Sequence, residues 1–484
     1  MATPLIPTLF PLGPRRSCDT LGVLAAFFLC AMLPAQDLSH PDTPPTPSSA
    51  LIQQANDALA AGNLPAALKI LTDLNTQTPH NPQVLYDLGF TLESLAPANP
   101  PAASPAPAAA GSGEQPTGAA EPALTPESCY RQAISADPSF PAPQVALGLL
   151  LARTGHPVEA RAQLLAATAL AAADPALKAR AFRALARLDL NAEPPNPPAA
   201  SDDLLNALKL APEQPADILL SAQIAEAAQD LPSAEQAYRR YLATPGNAYD
   251  AQAISALAHI LLAQHHPAEA EALLTPALAE APSNPSFTAQ LAEAWLDSGD
   301  AAKIARAAPL VQSLHDKLPA NTAVTRLLAR IYVETGHPDQ ADPLYAALID
   351  AQPDHPDPTL LDDRAEALLR LHRPGEAEKL LKLAVAEPGR FPTPADYADA
   401  ATHLAFAAVE IDDPRMTLQA LALRATVLPP SPPSLFLEAT ANDDLHQSSK
   451  AIELYHQFLA AANGSLPDQE SQARRRLAEL EHTK

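Results

Sequence analysis

A unit of two short amphipathic runs, separated by a tight turn and closed by a proline, recurs along the chain about every 34 residues. The clearest copy is 324–353, VTRLLARIYVETGHPDQADPLYAALIDAQP. Apolar residues recur every three or four positions up to Tyr332, the turn at 336–338 interrupts them, and a second periodic run ends at Pro353. The pattern predicts helix, turn and helix. Helices this short bury their apolar sides only against neighbouring copies.

The composition fits a chain of many short helices. Alanine, the strongest helix former, is the commonest residue, and 54 Pro against 15 Gly provide stops between helices. So little glycine disfavours a glycine-rich nucleotide-binding fold. Aromatic residues make up only 4% of the chain, which disfavours an all-β sandwich or barrel. We therefore expect an all-α protein.

Small and large apolar residues occupy fixed places in each copy. In the copy at 324–353, Ala329 and Ala341 predict a close approach of the two helices, with Tyr332 and Tyr345 filling the space between them. The order LA…Y…G…A…Y…L…P resembles the tetratricopeptide repeat. Corresponding positions recur at Leu88, Gly89 and Tyr130, at Leu147, Gly148 and Ala160, at Ala222, Ala234 and Tyr238, at Leu257, Ala258 and Ala270, at Leu291, Ala292 and Trp295, at Ala365 and Ala377, and at Ala451 and Tyr455.

This resemblance implies a right-handed superhelical solenoid of about ten or eleven stacked helix-turn-helix units over 48–462. A Pro/Ala-rich insertion cannot bury a core and is predicted to be disordered. The proline-rich connector EPPNPPAAS either separates two sub-arrays or joins the two helices of one distorted unit, and we favour the second. The expected organisation is a signal peptide at 1–35, a linker at 36–47, repeats at 48–192 with the insertion at 97–125, the connector at 193–201, repeats at 202–462 and a capping helix at 463–484.

The amino terminus has the features of a secretory signal peptide. Arg15 and Arg16 precede the apolar run at 21–33, which is shorter than the ~20 residues that span a bilayer. We expect cleavage after Ala35, export to the periplasm or the exterior, and no stable membrane span afterwards. The alternatives are an uncleaved anchor, a lipoprotein attached through Cys30, and a twin-arginine signal. Bulky residues before that cysteine and the polar residues after the arginines disfavour the last two.

Charge narrows the class of partner. The net charge of −24 disfavours nucleic acids and anionic membranes, and favours protein partners with basic segments. Cys129 is the one cysteine beyond the predicted signal, so we expect no disulfide and a buried small apolar side chain.

The sequence contains no motif of a known catalytic or cofactor site. Phosphate loops, dinucleotide fingerprints, HExxH, GxSxG and CxxC are all missing. We interpret His265 and His266 as a polar turn and the acidic stretch at 354–357 as a turn between repeats. The expectation is therefore a protein without enzymatic activity, cofactor or metal.

In the family that the chain resembles, the first helix of each unit lines a concave groove. The resemblance therefore implies groove side chains at Tyr86, Phe90, Glu93, Glu293, Asp297, Arg326, Arg330, Asp362, Glu366, Arg370, Phe406 and Phe436, with Glu410, Asp443 and Asp444 near the end. This mixture of aromatic, acidic and isolated basic residues suits an extended peptide or a partner helix. The Lys/Asn set with which some family members hold a chaperone's terminal carboxylate is not found at the matching positions.

Together these observations predict an exported scaffold for protein–protein interaction. Two alternatives remain open. The first is a membrane-anchored or self-associating envelope assembly protein, which amino-terminal sequencing and a solution mass would distinguish. The second is an accessory protein that binds glycans or cell-wall fragments, which needs aromatic residues clustered in the groove.

Overall fold

The computed structural model describes residues 47–96, 124–170 and 173–482. The predicted signal peptide and nearly all of the predicted linker and insertion lie outside these ranges. Within the described ranges the chain forms 23 α-helices, one short 3-10 helix at Pro388–Arg390 and no strand. The predicted all-α fold of repeated helical hairpins is therefore confirmed, and the handedness of a superhelix stays a prediction.

The helices divide into two compact units, and the division falls between Ala248 and Tyr249. The described part of the N-terminal unit holds five hairpins, each made of a first and a second helix. They are α1 (Pro47–Ala60) with α2 (Leu64–Gln77), α3 (Pro82–Leu95) with α4 (Pro126–Ala136), α5 (Pro141–Arg153) with α6 (Pro157–Ala169), α7 (Pro175–Leu190) with α8 (Pro197–Leu210), and α9 (Pro215–Ala227) with α10 (Leu231–Leu242).

The described part of the C-terminal unit holds six hairpins and a final helix. They are α11 (Ala251–Ala263) with α12 (Pro267–Glu280), α13 (Pro285–Asp297) with α14 (Ala301–Lys317), α15 (Thr322–Glu334) with α16 (Pro338–Asp350), α17 (Pro358–Arg370) with α18 (Pro374–Ala384), α19 (Pro394–Glu410) with α20 (Pro414–Ala425), α21 (Pro432–Asp444) with α22 (Ser448–Ala462), and α23 (Pro467–His482).

Prolines begin helices more often than they end them. Pro285 is the first residue of α13, where its missing N–H costs no hydrogen bond. The residue before it, Asn284, accepts hydrogen bonds through Oδ1 from the backbone N–H groups of Ser286 and Phe287, at 3.0 and 3.4 Å. Such a cap stabilises a helix by about 1 kcal/mol. The high proline content therefore marks the starts of the helices that follow each turn.

Most hairpin turns in the described ranges pass through a left-handed backbone conformation, and the turn between α7 and α8 is an exception. In the hairpin of α15 and α16 this residue is Gly336, with φ 80°, followed by His337 and Pro338 as the sequence predicts. In the hairpin of α11 and α12 the same place is taken by His265, with φ 61°. The polar histidine turn is thus part of the hairpin geometry.

Small residues let the two helices of a hairpin approach closely. Ala329 and Ala341 are fully buried between α15 and α16, as predicted. The approach is tighter at Gly148, where an added Cβ would lie 2.6 Å from Cγ of Leu164. Each hairpin core therefore depends on the size of one or two small residues. The predicted buried thiol at Cys129 is also fully buried, and burial raises its pKa.

The proline-rich connector lies between α7 and α8, which pack against each other as one hairpin. Asn196 caps α8 through a hydrogen bond from the backbone N–H of Ala199 at 3.3 Å. Residues 197–201, which we assigned to the connector, belong to α8. A proline at the first helical position explains why a Pro-Pro pair is accommodated there.

First helices form a layer of their own in each unit. In the N-terminal unit α3, α5, α7 and α9 contact one another in that order, and in the C-terminal unit α11, α13 and α15 do so, as do α17, α19 and α21. We call the side of this layer turned away from the second helices the inner face. None of the helices in the described ranges has the length and apolar character needed to cross a membrane.

Candidate functional site

Two acidic side chains without partners mark the inner face of the C-terminal unit. Glu293 and Asp297 lie one turn apart on α13, and neither forms a hydrogen bond or ion pair with any residue that the structure describes. Burial raises the pKa of Glu293 to about 7, against the opposing charge of Arg330. Burial also raises the pKa of Asp297, against the charges of Arg330 and His265. The fold therefore holds these two carboxyl groups in a place that disfavours their ionised forms.

Two arginines on α15 differ in what they contact. Arg326 Nε donates to Asp363 Oδ2 at 2.7 Å, and its Nη2 donates to Thr359 Oγ1 at 2.8 Å. These bonds tie α15 to the first helix of the next hairpin, α17. Arg330, one turn later, makes no hydrogen bond or ion pair within the described ranges, although its charge acts on Glu293. Of the two predicted groove arginines on α15, Arg330 is therefore the one available to a ligand.

The predicted groove residues of α17 take part in contacts with adjacent helices. Asp362 forms an ion pair with His403 Nδ1 of α19 at 2.7 Å. Burial would lower the pKa of His403, but the hydrogen bond and the charge of Asp362 raise it to about 9. Arg370 donates to Glu366 Oε1 at 2.7 Å and to the backbone oxygen of Val333 at 2.7 Å. These charged contacts join α15, α17 and α19.

The predicted residues near the end of the chain fall in two environments. Phe406 on α19 is 43% exposed, beside Leu437 of α21. Phe436 packs within its own hairpin, with its ring 5.1 Å from that of Phe458. Asp443 is buried and accepts from Arg476 Nη2 of α23 at 3.0 Å, so it fixes the last helix. Any role of these residues in binding stays a prediction.

The three predicted residues of α3 lie at a junction in the N-terminal unit. Tyr86 packs between the rings of Tyr130 and Phe140, at 6.0 and 5.7 Å. Glu93 accepts from the hydroxyl of Tyr130 at 2.6 Å and pairs with Arg153. Phe90 is half-buried on the same helix. These contacts join α3, α4 and α5, and the structure does not test whether a partner also reaches them.

Sequence reasoning missed two arginines of the N-terminal unit. Arg180 and Arg187 lie on α7, both exposed, and neither forms a hydrogen bond or ion pair with a residue in the described ranges. Between them, Arg183 is buried and donates to both carboxylate oxygens of Asp217 on α9, each at 2.7 Å. Neighbouring helices desolvate the guanidinium of Arg187 in part and so lower its pKa, against the charge of Asp217, although the side chain is exposed at the surface. Their seven-residue spacing is visible in the sequence, but the repeat pattern is weak over 176–212, so the sequence alone does not place them on a first helix.

The single tryptophan lies directly behind the unpaired acids. Trp295 is almost fully buried on α13, and its Nε1 donates to Glu271 Oε1 of α12 at 2.9 Å. Lys303 pairs with the other oxygen of Glu271 at 2.7 Å, and the guanidinium of Arg306 lies 5.0 Å from the indole centroid. This cluster joins α12, α13 and α14 and sets the position of α13.

The chemistry available on both inner faces is that of charge recognition. No group of three or more metal-ligating residues occurs in the ranges that the structure describes. The side chains without partners among the described residues include the carboxyl groups of Glu293 and Asp297, the guanidinium group of Arg330 beside them, and those of Arg180 and Arg187 on α7. Such groups bind ions of opposite sign, with geometry fixed by the helices that carry them.

Comparison with known families matches part of this architecture. Residues 261–303 and 300–361 match the family model described as a tetratricopeptide repeat. These segments run from the end of α11 into α17 and contain Glu293, Asp297 and Arg330. A comparison with curated proteins gives no match.

Two solved structures illustrate the likeness. A tetratricopeptide repeat protein from Parabacteroides merdae is 14% identical over 55% of this chain and 98% of its own, with a TM-score of 0.38. The Cut9–Hcn1 hetero-tetramer of the APC/C gives 12% identity over 96% of this chain and 90% of the other, with a TM-score of 0.39. Likeness at this level says nothing about ligands. The hairpins with their paired small residues and the family model agree over 261–361, and this part of the chain is similar to tetratricopeptide repeats.

Proposed function

We propose that the protein is a non-enzymatic scaffold whose C-terminal unit binds an extended protein segment carrying basic side chains. Tetratricopeptide repeats generally mediate protein–protein interaction, and their fold is typically non-catalytic. The observation that carries the proposal is the pair Glu293 and Asp297, two carboxyl groups without partners among the described residues.

A desolvated carboxylate without a partner is unfavourable until a cation reaches it. Residues four apart on a helix are separated by about 6 Å along its axis, so two basic side chains of one partner segment can reach Glu293 and Asp297 together. Arg330 faces the same acids and offers guanidinium donors to the backbone oxygens of that segment. The site therefore suits a basic segment in an extended conformation.

The mechanism is passive. Hairpins linked by charged contacts between first helices present a rigid surface, and a rigid surface limits the entropy lost on binding. The net charge of −24 attracts basic partners over long distances and speeds their encounter at low salt.

The test is a titration of the full chain against fluorescein-labelled peptides, followed by fluorescence anisotropy. The probe is a twelve-residue peptide in which Lys alternates with Ser, and its reference has Gln in place of Lys. We expect the lysine peptide to bind the wild type and the double variant Glu293→Gln/Asp297→Asn to bind it at least tenfold more weakly, a loss of about 1.4 kcal/mol or more.

The matched control is Glu280→Gln/Asp316→Asn, which removes two exposed acids from the second helices α12 and α14. It lowers the net negative charge equally and should keep nearly the full affinity. Equal binding of the lysine and glutamine peptides would overturn the proposal. Equal affinity of the wild type and the double variant at Glu293 and Asp297 would do the same.

We also propose that the protein acts outside the cytoplasm. The support is the pattern of Arg15 and Arg16 followed by the apolar run at 21–33. Amino-terminal sequencing of the mature protein is the test. A chain that begins at Gln36 supports export with cleavage, whereas a chain that keeps residues 21–33 contradicts cleavage and favours an anchored form.

A further inference from the structure

A second surface lies on the inner face of the N-terminal unit, where the function proposed above gives it no role. Arg180 and Arg187 are exposed on α7 and have no hydrogen-bonding or ion-pair partner among the residues described. Most arginines of this unit are paired with carboxylates: Arg131 with Glu127 and Glu159, Arg153 with Glu93, Arg161 with Asp189, Arg183 with Asp217, and Arg240 with Glu213. The two arginines of α7 are therefore exceptions that the local structure does not explain.

Geometry places both guanidinium groups on one side of the helix. Residues seven apart differ by only about 20° around the axis, and are separated by about 10.5 Å along it. α7 lies between α5 and α9 in the inner layer, and α8 packs against it from the other layer. The charge of Arg180 also acts on Tyr86 of α3, so this surface continues toward the first hairpins of the unit.

The carboxylate whose charge acts on Arg187, that of Asp217, is already occupied. Asp217 accepts both bonds from Arg183, and its Oδ2 also accepts from the backbone N–H of Gln214 at 2.9 Å. Asp217 therefore contributes no direct contact to Arg187. A guanidinium group without a partner is stabilised by an incoming anion, and its planar shape suits a carboxylate, which it binds through two parallel hydrogen bonds.

We propose that Arg180 and Arg187 form a binding site for an extended acidic segment of a partner protein, with carboxylates three residues apart. In a polyproline II conformation the rise is about 3.1 Å per residue with three residues per turn. Side chains three apart then lie on the same side, about 9 Å from each other, close to the spacing of the two arginines. In a β-strand, residues two or four apart share a side, at about 7 or 13 Å.

This inference is independent of the basic segment proposed for the C-terminal unit. It uses other residues, and its ligand has the opposite charge. Failure of either titration leaves the other result unaffected.

The test is the binding of labelled glutamate–proline peptides to the full chain. Glutamates are placed every second, every third or every fourth residue with prolines between them, and a fourth peptide has Gln at every third residue. We expect the three-residue spacing to bind most tightly. The double variant Arg180→Gln/Arg187→Gln should bind it at least tenfold more weakly.

The matched control is Lys69→Gln/Lys209→Gln, which removes two exposed positive charges from the second helices α2 and α8. It should keep the affinity within about twofold of the wild type, since non-directional attraction between exposed charges is weak. Because Arg180 and Arg187 make no bonds with the described residues, their double variant should show the thermal unfolding of the wild type.

A further variant, Arg180→Lys/Arg187→Lys, separates specific contact from general attraction. It keeps both charges but removes the planar fork, so binding should fall by less than in the glutamine variant but measurably below the wild type. If Arg180→Lys/Arg187→Lys bound the peptide with the affinity of the wild type, the claim of a specific guanidinium–carboxylate contact would be wrong. Equal binding of the three spacings, or unchanged binding by the glutamine variant, would overturn the proposal as a whole.

Discussion

The inner faces of the two units carry the same arginine arrangement in different surroundings. On α7 of the N-terminal unit, Arg183 bonds to the first helix of the next hairpin, and Arg187 has no partner in the described ranges. On α15 of the C-terminal unit, Arg326 and Arg330 divide the same two roles. Around Arg330 lie acids that are themselves unpaired, whereas the acid near Arg187 is occupied. In each pair, two arginines four residues apart thus have different roles: one makes a structural contact, and the other is available for binding. The neighbouring acids determine which ligand suits each face.

The largest expected effect comes from removing the structural arginine of the N-terminal unit. Arg183→Ala leaves Asp217 buried without its partner, and the free energy of unfolding of this unit should fall by about 3 kcal/mol. Urea unfolding and hydrogen exchange of α9 measure the loss. Arg187→Ala is the paired control and should change stability by less than about 0.5 kcal/mol. If both variants were equally destabilised, the division of roles on α7 would be wrong.

The corresponding change in the C-terminal unit should be smaller. Arg326→Ala removes the bonds to Asp363 and Thr359, but solvent reaches Asp357, the third partner, so we expect a loss of about 2 kcal/mol. Hydrogen exchange of α17 reports it. Arg330→Ala should leave the hydrogen exchange of α17 unchanged. It should weaken binding of the lysine–serine peptide, because the donors to the backbone oxygens of that peptide are lost. Protection of α17 that survived Arg326→Ala would show that this contact is dispensable.

The hairpin of α5 and α6 differs from that of α15 and α16 in the small residue between its paired helices. Gly148 occupies this place in α5, and Ala329 is fully buried at the corresponding place in α15. Gly148→Ala would place a Cβ against Leu164, so we expect a loss of about 1–2 kcal/mol in thermal unfolding. Gly375→Ala, where the added methyl group meets no atom within 4 Å, is the control. A stable Gly148→Ala would mean that the hairpin of α5 and α6 can widen.

The two faces should respond differently to pH. With a pKa of about 7, Glu293 goes from about one-tenth ionised at pH 6 to about nine-tenths at pH 8, so affinity for the lysine peptide should rise up to about tenfold. The raised pKa of Asp297 acts in the same direction, and Arg330 and His265 are the other charged or titratable groups that act on this pair. Binding of glutamate–proline peptides to α7 should stay constant, because arginine and peptide keep their charges in this range.

In the absence of ligand, the raised pKa of Glu293 has the opposite effect on stability: the free energy of unfolding should fall as the pH rises. The carboxyl group of Glu293 ionises near pH 4.3 in the unfolded chain and near pH 7 in the folded one. Its stabilising contribution is complete at low pH and is lost as the pH rises through about 7. In Glu293→Gln the pH dependence of both binding and unfolding should be weaker. An unchanged profile in that variant would exclude Glu293 as the titrating group.

The hairpins were predictable because their determinants are local. Apolar spacing, a capping Asn before the first helix, a left-handed turn residue and a proline at the start of the second helix all lie within one unit, as in α15 and α16. Groove residues were less predictable, because a side chain's availability depends on partners more than 30 residues away. Arg326 and Arg330 look equivalent in the sequence, and Asp363 makes the difference. Phe436 lies on a first helix, but its ring packs inside its own hairpin.

The tryptophan behind the acidic pair gives the chain an intrinsic optical probe. Trp295 is the one indole among 484 residues, and its surroundings are the carboxylate of Glu271 and the cation of Arg306. Its emission therefore reports the local state of one hairpin, whereas circular dichroism averages over every helix. Repeat arrays open in segments. If the unfolding midpoint from Trp295 fluorescence differed from the midpoint from circular dichroism, it would show whether the region around α13 unfolds before or after the other helices. No dye has to be attached for this measurement.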